Sequence, residues 1–283
     1  MANLEDAGTR GTERAAPAPM SMKISNFLLR IEPKLPGILT ILWLILWEVL
    51  SRAEVISPLF FPPPSLILRT LYRLTINGKL IFHLVATLQR LGLGVLLGGI
   101  SGLILGLVMG WSPRIRVLLD PIIAAIHPIP KLAIFPLIMI LFGIGEISKV
   151  VAIAIACFFP MLINSMAGVR QLNPVFFEVS RNYGASAWKT FTRIVIPGSL
   201  PMVLTGTRLA INMAMVITIS VELLAAREGL GVIIWFSWQT MRIEDLYASL
   251  IVIAALGIGL NLLLQHLSHQ LVPWYSQQPG ESN

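Results

Sequence analysis

Six long apolar runs, separated by polar or proline-containing stretches, dominate the chain. They cover approximately residues 35–51, 84–110, 121–142, 147–169, 199–226 and 246–271. An α-helix needs about 20 apolar residues to cross a bilayer, and these runs meet or approach that length. The pattern predicts an all-α fold: a polytopic membrane helical bundle of about six transmembrane helices. Between the first two runs lies a long polar connection containing Pro62-Pro63-Pro64. Polyproline geometry cannot sustain a spanning helix, so this connection is expected on or outside the membrane face. Residues 1–34 mix five bases with four acids and read as a partly flexible cytoplasmic tail, with a short interfacial helix from Met22 to Ile31. The transmembrane domain is expected over 35–274, with Trp274 as an interfacial anchor and 275–283 as a C-terminal tail.

Composition strengthens the membrane reading. Apolar residues make up 55% of the chain and charged residues 12%, with a mean hydropathy of +0.79. A soluble domain carries about 25% charged residues, so a water-facing surface is not available here. The net charge of +7 gathers between apolar runs instead of forming one stripe, which excludes nucleic acid as a partner. Cys157 has no second cysteine to pair with and lies within an apolar run. No cleavable signal peptide is expected at the start of the chain.

Six spans place both termini on one side. If that side is cytoplasmic it collects eleven bases: five in the tail, then Arg114, Arg116, Arg170, Arg181, Lys189 and Arg193. The opposite side receives seven: Arg52, Arg69, Arg73, Lys79, Lys149, Arg227 and Arg242. This modest bias favours cytoplasmic termini.

Two spans carry unusual patterns. In the second, Gly94, Gly98, Gly102, Gly106 and Gly110 recur every fourth residue and form one continuous helix face. Such a face admits close helix packing, either as a fixed contact or as a smooth surface for sliding. The third span holds Pro121, Pro128, Pro130 and Pro136, which free backbone groups that lipid cannot satisfy. His127 and Lys131 flank that break at i, i+4 spacing, and ionisable groups at membrane depth are candidates for a translocation path. Together they would favour an anion; the alternative is that Lys131 snorkels to an interface while His127 pairs with a backbone carbonyl. Glu222, near Arg227 and Glu228, lines an outer gate or pairs structurally with a base. Asn212 and Thr218 face the path or bond a neighbouring helix. His266 and His269 have no third ligand nearby in sequence, so no metal site is expected.

The stretch between the fourth and fifth spans, about 170–197, carries the most information. Asn173 is placed to cap a short helix that opens with Pro174, and Gly184 to break it in the left-handed conformation. A second helix is expected from Ala185 to Val195, ended or kinked by Pro197. Tyr183 and Trp188 supply aromatic surface for a partner's groove. This arrangement is longer and more apolar than a connecting loop requires.

The same stretch resembles the coupling loop of ATP-binding-cassette importer permeases. Glu178, Val179, Ser180, Gly184, Ile194 and Pro197 fall at that family's spacing, with Val179 in place of the usual alanine. Further segments resemble the nitrate/sulfonate/taurine/bicarbonate-type branch. They are Phe61-Pro62-Pro63-Pro64-Ser65, Leu118-Leu119-Asp120-Pro121, His127-Pro128-Ile129-Pro130, Phe142-Gly143-Ile144-Gly145-Glu146 and Glu228-Gly229-Leu230-Gly231. Lys131 departs from the branch pattern, which has a proline near that position.

The resemblance implies a type I importer permease fold in a bacterial cytoplasmic (inner) membrane, paired with a second copy of itself. It further implies two ATPase subunits gripping the 174–184 helix, and an extracytoplasmic substrate-binding protein. ATP and Mg would sit on the ATPase partners. This chain has no Gly-x4-Gly-Lys-Ser/Thr loop, so it is expected to bind no cofactor and catalyse no hydrolysis. A small, anionic solute is expected, with a lean toward sulfonate or taurine. The competing reading is an ion-coupled secondary transporter, which would show an internal repeat and paired intramembrane charges. A membrane enzyme would need clustered catalytic groups at one depth.

Overall fold

A computed structural model describes residues 35–273. Its regular structure is helical: α1 (Leu35–Arg52), α2 (Pro64–Ile76), α3 (Lys79–Trp111), α4 (Pro113–Ile126), α5 (Phe135–Phe142), α6 (Glu146–Arg170), α7 (Pro174–Asn182) and α8 (Ala187–Thr190) come first. A π-turn at Phe191–Val195 follows, then α9 (Ile196–Ala225), α10 (Leu230–Gln239) and α11 (Ile243–Leu271). The N-terminal tail, its interfacial helix, Trp274 and the C-terminal tail lie outside the described residues.

The chain divides into two compact units, Met1–Pro58 and Leu59–Asn283. In the first, α1 is apolar around its circumference, which suits a helix surrounded by lipid or by other protein. Trp43 and Trp47 lie 5.1 Å apart along one of its sides.

In the second unit α6 is the central helix, packed along α3 on one side and α9 on the other. Small residues make that possible. A side-chain carbon on any of the five ribbon glycines of α3 would enter α6: at Gly102 it would lie 2.5 Å from the Phe158 carbonyl oxygen, at Gly110 2.6 Å from Val169 Cβ. Lipid tails are as apolar as leucine, so helices in a bilayer gain little from burying hydrocarbon and associate through close van der Waals fit. The ribbon therefore interlocks with the backbone of α6 along its length, a fixed packing contact in this conformation. Gly206 plays the same part where α9 crosses Asn164 and Pro160 of α6. Behind these seams, Leu91, Phe135, Ile153, Cys157, Ala210, Ala214 and Val221 form the main buried cluster.

Among the described residues five helical stretches are long and apolar enough to cross a membrane, including α3 with 33 residues and the continuous run Ala187–Ala225 with 39. The expected third span departs from a single rod. Residues 121–142 form the end of α4, a break over 127–134, and the eight-residue α5. The cause is local: Pro128 and Pro130 offer no N–H, and their rings obstruct the preceding helical turn. The fifth span departs in the other direction. Pro197 does not end the helix before it but sits in the first turn of α9, where a missing N–H is harmless. The π-turn at Phe191–Val195 absorbs the misfit, so the run starts at Ala187 and not near 199.

Candidate functional site: a helical docking segment and an intramembrane ionic hub

The segment after α6 folds as its residues dictate. The Asn173 side chain accepts from Val175 N–H at 3.0 Å, and Pro174 takes the first helical position. At the other end Gly184 has φ +67°, Gly184 N–H donates to Arg181 O at 3.0 Å, and Ala185 N–H donates to Ser180 O at 3.0 Å. This doubly bonded left-handed stop closes the helix sharply after Tyr183. Ser186 then caps α8, and a 2.6 Å hydroxyl contact between Ser180 and Thr190 ties the two short helices together. Inside the fold, Phe177 and Phe191 rest against Trp111 at the end of α3, at 6.0 and 5.8 Å.

This framework presents apolar side chains outward, interspersed with the exposed charges of Glu178, Arg181 and Lys189. Tyr183 is 87% exposed and Trp188 73%, with Val175, Phe176 and Val179 also open. Glu178 and Gly184 are exposed, Ser180 is buried in the hinge between the helices, and Ile194 and Pro197 are half-buried where the chain re-enters the bundle. Exposed aromatic and aliphatic surface on a helix held rigidly at both ends is the form of a docking element.

The candidate path residues separate. Lys131 Nζ turns back onto its own broken helix, bonding the carbonyl oxygens of His127, Ile129 (2.8 Å) and Ile126 (3.5 Å), and lies 4.5 Å above the Phe159 ring. The donor that Ile126 O would have met one turn later is Pro130, which has no N–H. Ile126 O accepts from Ile129 N–H instead, and Lys131 donates to the carbonyls that the broken helix leaves open, with the His127 ring 5.4 Å from the same Phe159. Replacing Lys131 with methionine is expected to lower stability by about 1 kcal/mol, the lower end for orphaned polar groups because the site is half-exposed. A detergent-solubilised melting curve, compared with Lys189→Met, checks this. An unchanged melt with reduced uptake would assign the ammonium to the path.

Glu222 does not open onto a channel in this conformation. It is 1% exposed and enclosed by Thr87 and Arg90 of α3 and by Gly229 and Gly231 at the start of α10. Its base is Arg90, not the neighbouring Arg227. Arg90 Nη1 lies 2.9 Å from Glu222 Oε1 and 2.6 Å from Glu228 O, while Nε and Nη2 grip both oxygens of Glu146. Glu222 also accepts from Thr87 Oγ1 at 2.9 Å and from Gly231 N–H at 3.0 Å. Thr87 Oγ1 in turn accepts from Leu230 N–H at 2.9 Å, His83 Nδ1 from Gly229 N–H at 2.9 Å, and Lys149 Nζ completes Glu146 at 2.7 Å. Side chains on Gly229 or Gly231 would collide with Glu222, at 2.7 Å from its Cβ in the second case. The Glu228-Gly229-Leu230-Gly231 motif is therefore a strap laid over a buried carboxylate. Asn212 is exposed on α9 and accepts from Asn261 of α11 at 3.2 Å, while Thr218 is buried and donates to Ala214 O in its own helix.

Arg90 was readable as a lone cation inside an apolar, glycine-rich run. Its partners, 56, 132 and 138 residues away, were not.

Comparison with known proteins gives the family. Residues 94–277 match the family described as the binding-protein-dependent transport system inner membrane component. The taurine transport system permease protein TauC of Escherichia coli is 36% identical over 85% of this chain and 89% of its own length. A putative aliphatic sulfonates transport permease protein, SsuC of Bacillus subtilis, is 31% identical over 83% of this chain and 85% of its own. The formylaminopyrimidine transport permease protein ThiX of Halalkalibacterium halodurans is 30% identical over 86% of this chain and 96% of its own. ABC systems of this kind pair their permease with a separate ATPase subunit and a substrate-binding protein. The chain belongs to the binding-protein-dependent ABC transport permeases, as a membrane-embedded, non-enzymatic subunit with the type I fold.

Proposed function

We propose that this permease imports a small organic anion of the sulfonate type, taurine being representative, by alternating access coupled to ATP hydrolysis on two ATPase subunits. In this reading α7, with Tyr183 at its end and Trp188 of α8 beside it, seats in a groove of each ATPase, and both chain termini face the cytoplasm. A second copy of the chain completes the pathway, and an extracytoplasmic binding protein delivers the solute. ATP and Mg reside on the partners, whose closure shifts the population between inward- and outward-facing states. The observation that carries the coupling is the rigidly capped, outward-facing aromatic helix Pro174–Asn182. The solute class is supported by the taurine and sulfonate assignments of two relatives and by the excess of basic charge.

The test is an affinity purification of the tagged chain from native membranes beside Gly184→Trp. No atom stands within 4 Å of a carbon added at Gly184, so the variant's injury is a strained left-handed residue and a bulky ring on the docking face. An ATPase subunit is expected with the wild type and lost from the variant, with taurine uptake falling in parallel. Purification of both versions without any ATPase would overturn the coupling and favour ion-driven transport.

A further inference from the structure

α9 turns a small-residue face, including Gly206, Ala210 and Ala214, toward the core. Its opposite face is exposed, and three polar side chains, Thr205, Arg208 and Asn212, line up there at i, i+3 and i+7. Arg208 makes no ion pair or hydrogen bond with any of the described residues. Thr205 Oγ1 donates only to Pro201 O at 3.1 Å, which leaves its lone pairs open. Asn212 uses its oxygen toward Asn261 and keeps its amide N–H groups free among the described residues.

Depth makes this arrangement unusual. Arg208 lies fourteen residues from Glu222 and seventeen from Phe191, about 21 and 25 Å at 1.5 Å per residue. It is thus midway between the ionic hub and the aromatic cluster at the docking end. The neighbouring helix agrees: Cys157 Sγ contacts Ala210 O at 3.7 Å, and Thr207 Oγ1 lies 3.6 Å from Met161 Sδ, both near the middle of α6. An unpaired guanidinium at mid-span in hydrocarbon costs about 2.5–3.5 kcal/mol or more, and it is too far from either end to snorkel. A water-filled cavity or a charged ligand removes that penalty.

We infer that Arg208, with Thr205 and Asn212, forms the anion-recognition point of the translocation path. This rests on the sulfonate-import reading and adds the residues that would read the charge. A guanidinium fork meets two oxygens of a sulfonate, or both of a carboxylate, in the bidentate geometry that an ammonium cannot offer. The Asn212 amide is placed to donate to a further anionic oxygen, and Thr205 to accept from a polar group such as an ammonium on the same solute. In a water-filled path such an open site would hold the anion weakly enough to let it leave again, as conduction requires.

The test uses the whole transporter, this chain with its ATPase and binding protein, in membrane vesicles with taurine as probe. Arg208→Gln is expected to lower uptake about ten-fold or more, the scale of losing a charge-assisted pair, while ATPase copurification and the melting curve stay unchanged. Arg208→Lys is expected to retain an intermediate rate. Wild-type uptake by Arg208→Gln would overturn the inference. A second arm does not depend on the solute. Arg208→Cys in a Cys157→Ala background is expected to react with the membrane-impermeant, anionic sulfonatoethyl methanethiosulfonate. Reaction with a neutral, membrane-permeant analogue alone would place residue 208 against lipid or protein and overturn the inference. If the wild type moves neither taurine nor an alkanesulfonate, the import reading falls on its own, and the labelling arm still decides the position of Arg208.

Discussion

Replacing Arg90 with methionine is expected to leave little folded protein in the membrane. The guanidinium is 2% exposed and is the cationic partner of a Glu222 carboxylate whose side chain is fully shielded. Removing one member of a buried ion pair strands the other charge, at a cost of about 3–5 kcal/mol. Total stabilities of proteins run to about 5–15 kcal/mol, so this is a large share. Glu146 mitigates nothing for Glu222, since its own side chain is 55% exposed and is solvated independently. Glu222→Gln should be milder, because Arg90 keeps both oxygens of Glu146 and the amide oxygen still accepts from Gly231 N–H. The double variant Arg90→Met, Glu222→Leu should regain part of the loss by removing both buried charges. Expression yield and melting by size-exclusion chromatography read these effects. A melting shift for Arg90→Met below about 2 °C, under 1 kcal/mol for a chain of this size, would show that the hub contributes little.

The second large effect separates two adjacent glycines. At Gly98 an added carbon would lie 2.6 Å from the Ala154 carbonyl carbon and 2.8 Å from its Cα, all backbone that cannot rotate away. At Gly99 the same carbon would meet only Val95 Cγ1, at 4.0 Å. Gly98→Val should therefore push α3 off α6 and cost about 3 kcal/mol or more, the upper end for overpacking. Gly99→Val should be nearly neutral and raise helix propensity slightly. Folded yield in detergent distinguishes them, and equal yields would mean that the ribbon does not set the helix spacing.

These two cases also mark what the sequence can reveal. The ribbon was legible because its period of four maps directly onto one face of a helix, and only its partner helix had to be found. The docking segment was legible for a similar reason: Asn173, Pro174 and Gly184 act on neighbours within a turn or two. Local chemistry also foretold that residues 121–142 would be interrupted, though not that the interruption reduces α5 to eight residues. Effects that depend on a missing donor were read less well. Pro197 looked like a terminator because prolines usually obstruct the turn before them, and a π-turn removed the obstruction. The carbonyl partners of Lys131 were not legible either, because they are backbone atoms that no side-chain pattern displays. Charge counting over loops passed over Arg90 and Arg208, the two arginines inside spans. One is enclosed by three acids drawn from distant segments, and the other faces outward.

The 39-residue run from Ala187 to Ala225 leaves the docking segment at one end and reaches the Glu222 hub at the other. At 1.5 Å per residue it is a lever about 58 Å long, and a tilt of about 10° at its foot carries its tip about 10 Å. Its one irregular turn lies at the foot, at Phe191–Val195, where a stroke delivered to the short helices would be received. A small push from outside the bilayer would thus arrive at the far face as a large displacement, with its direction set by the knuckle of π-turn and proline at 191–197.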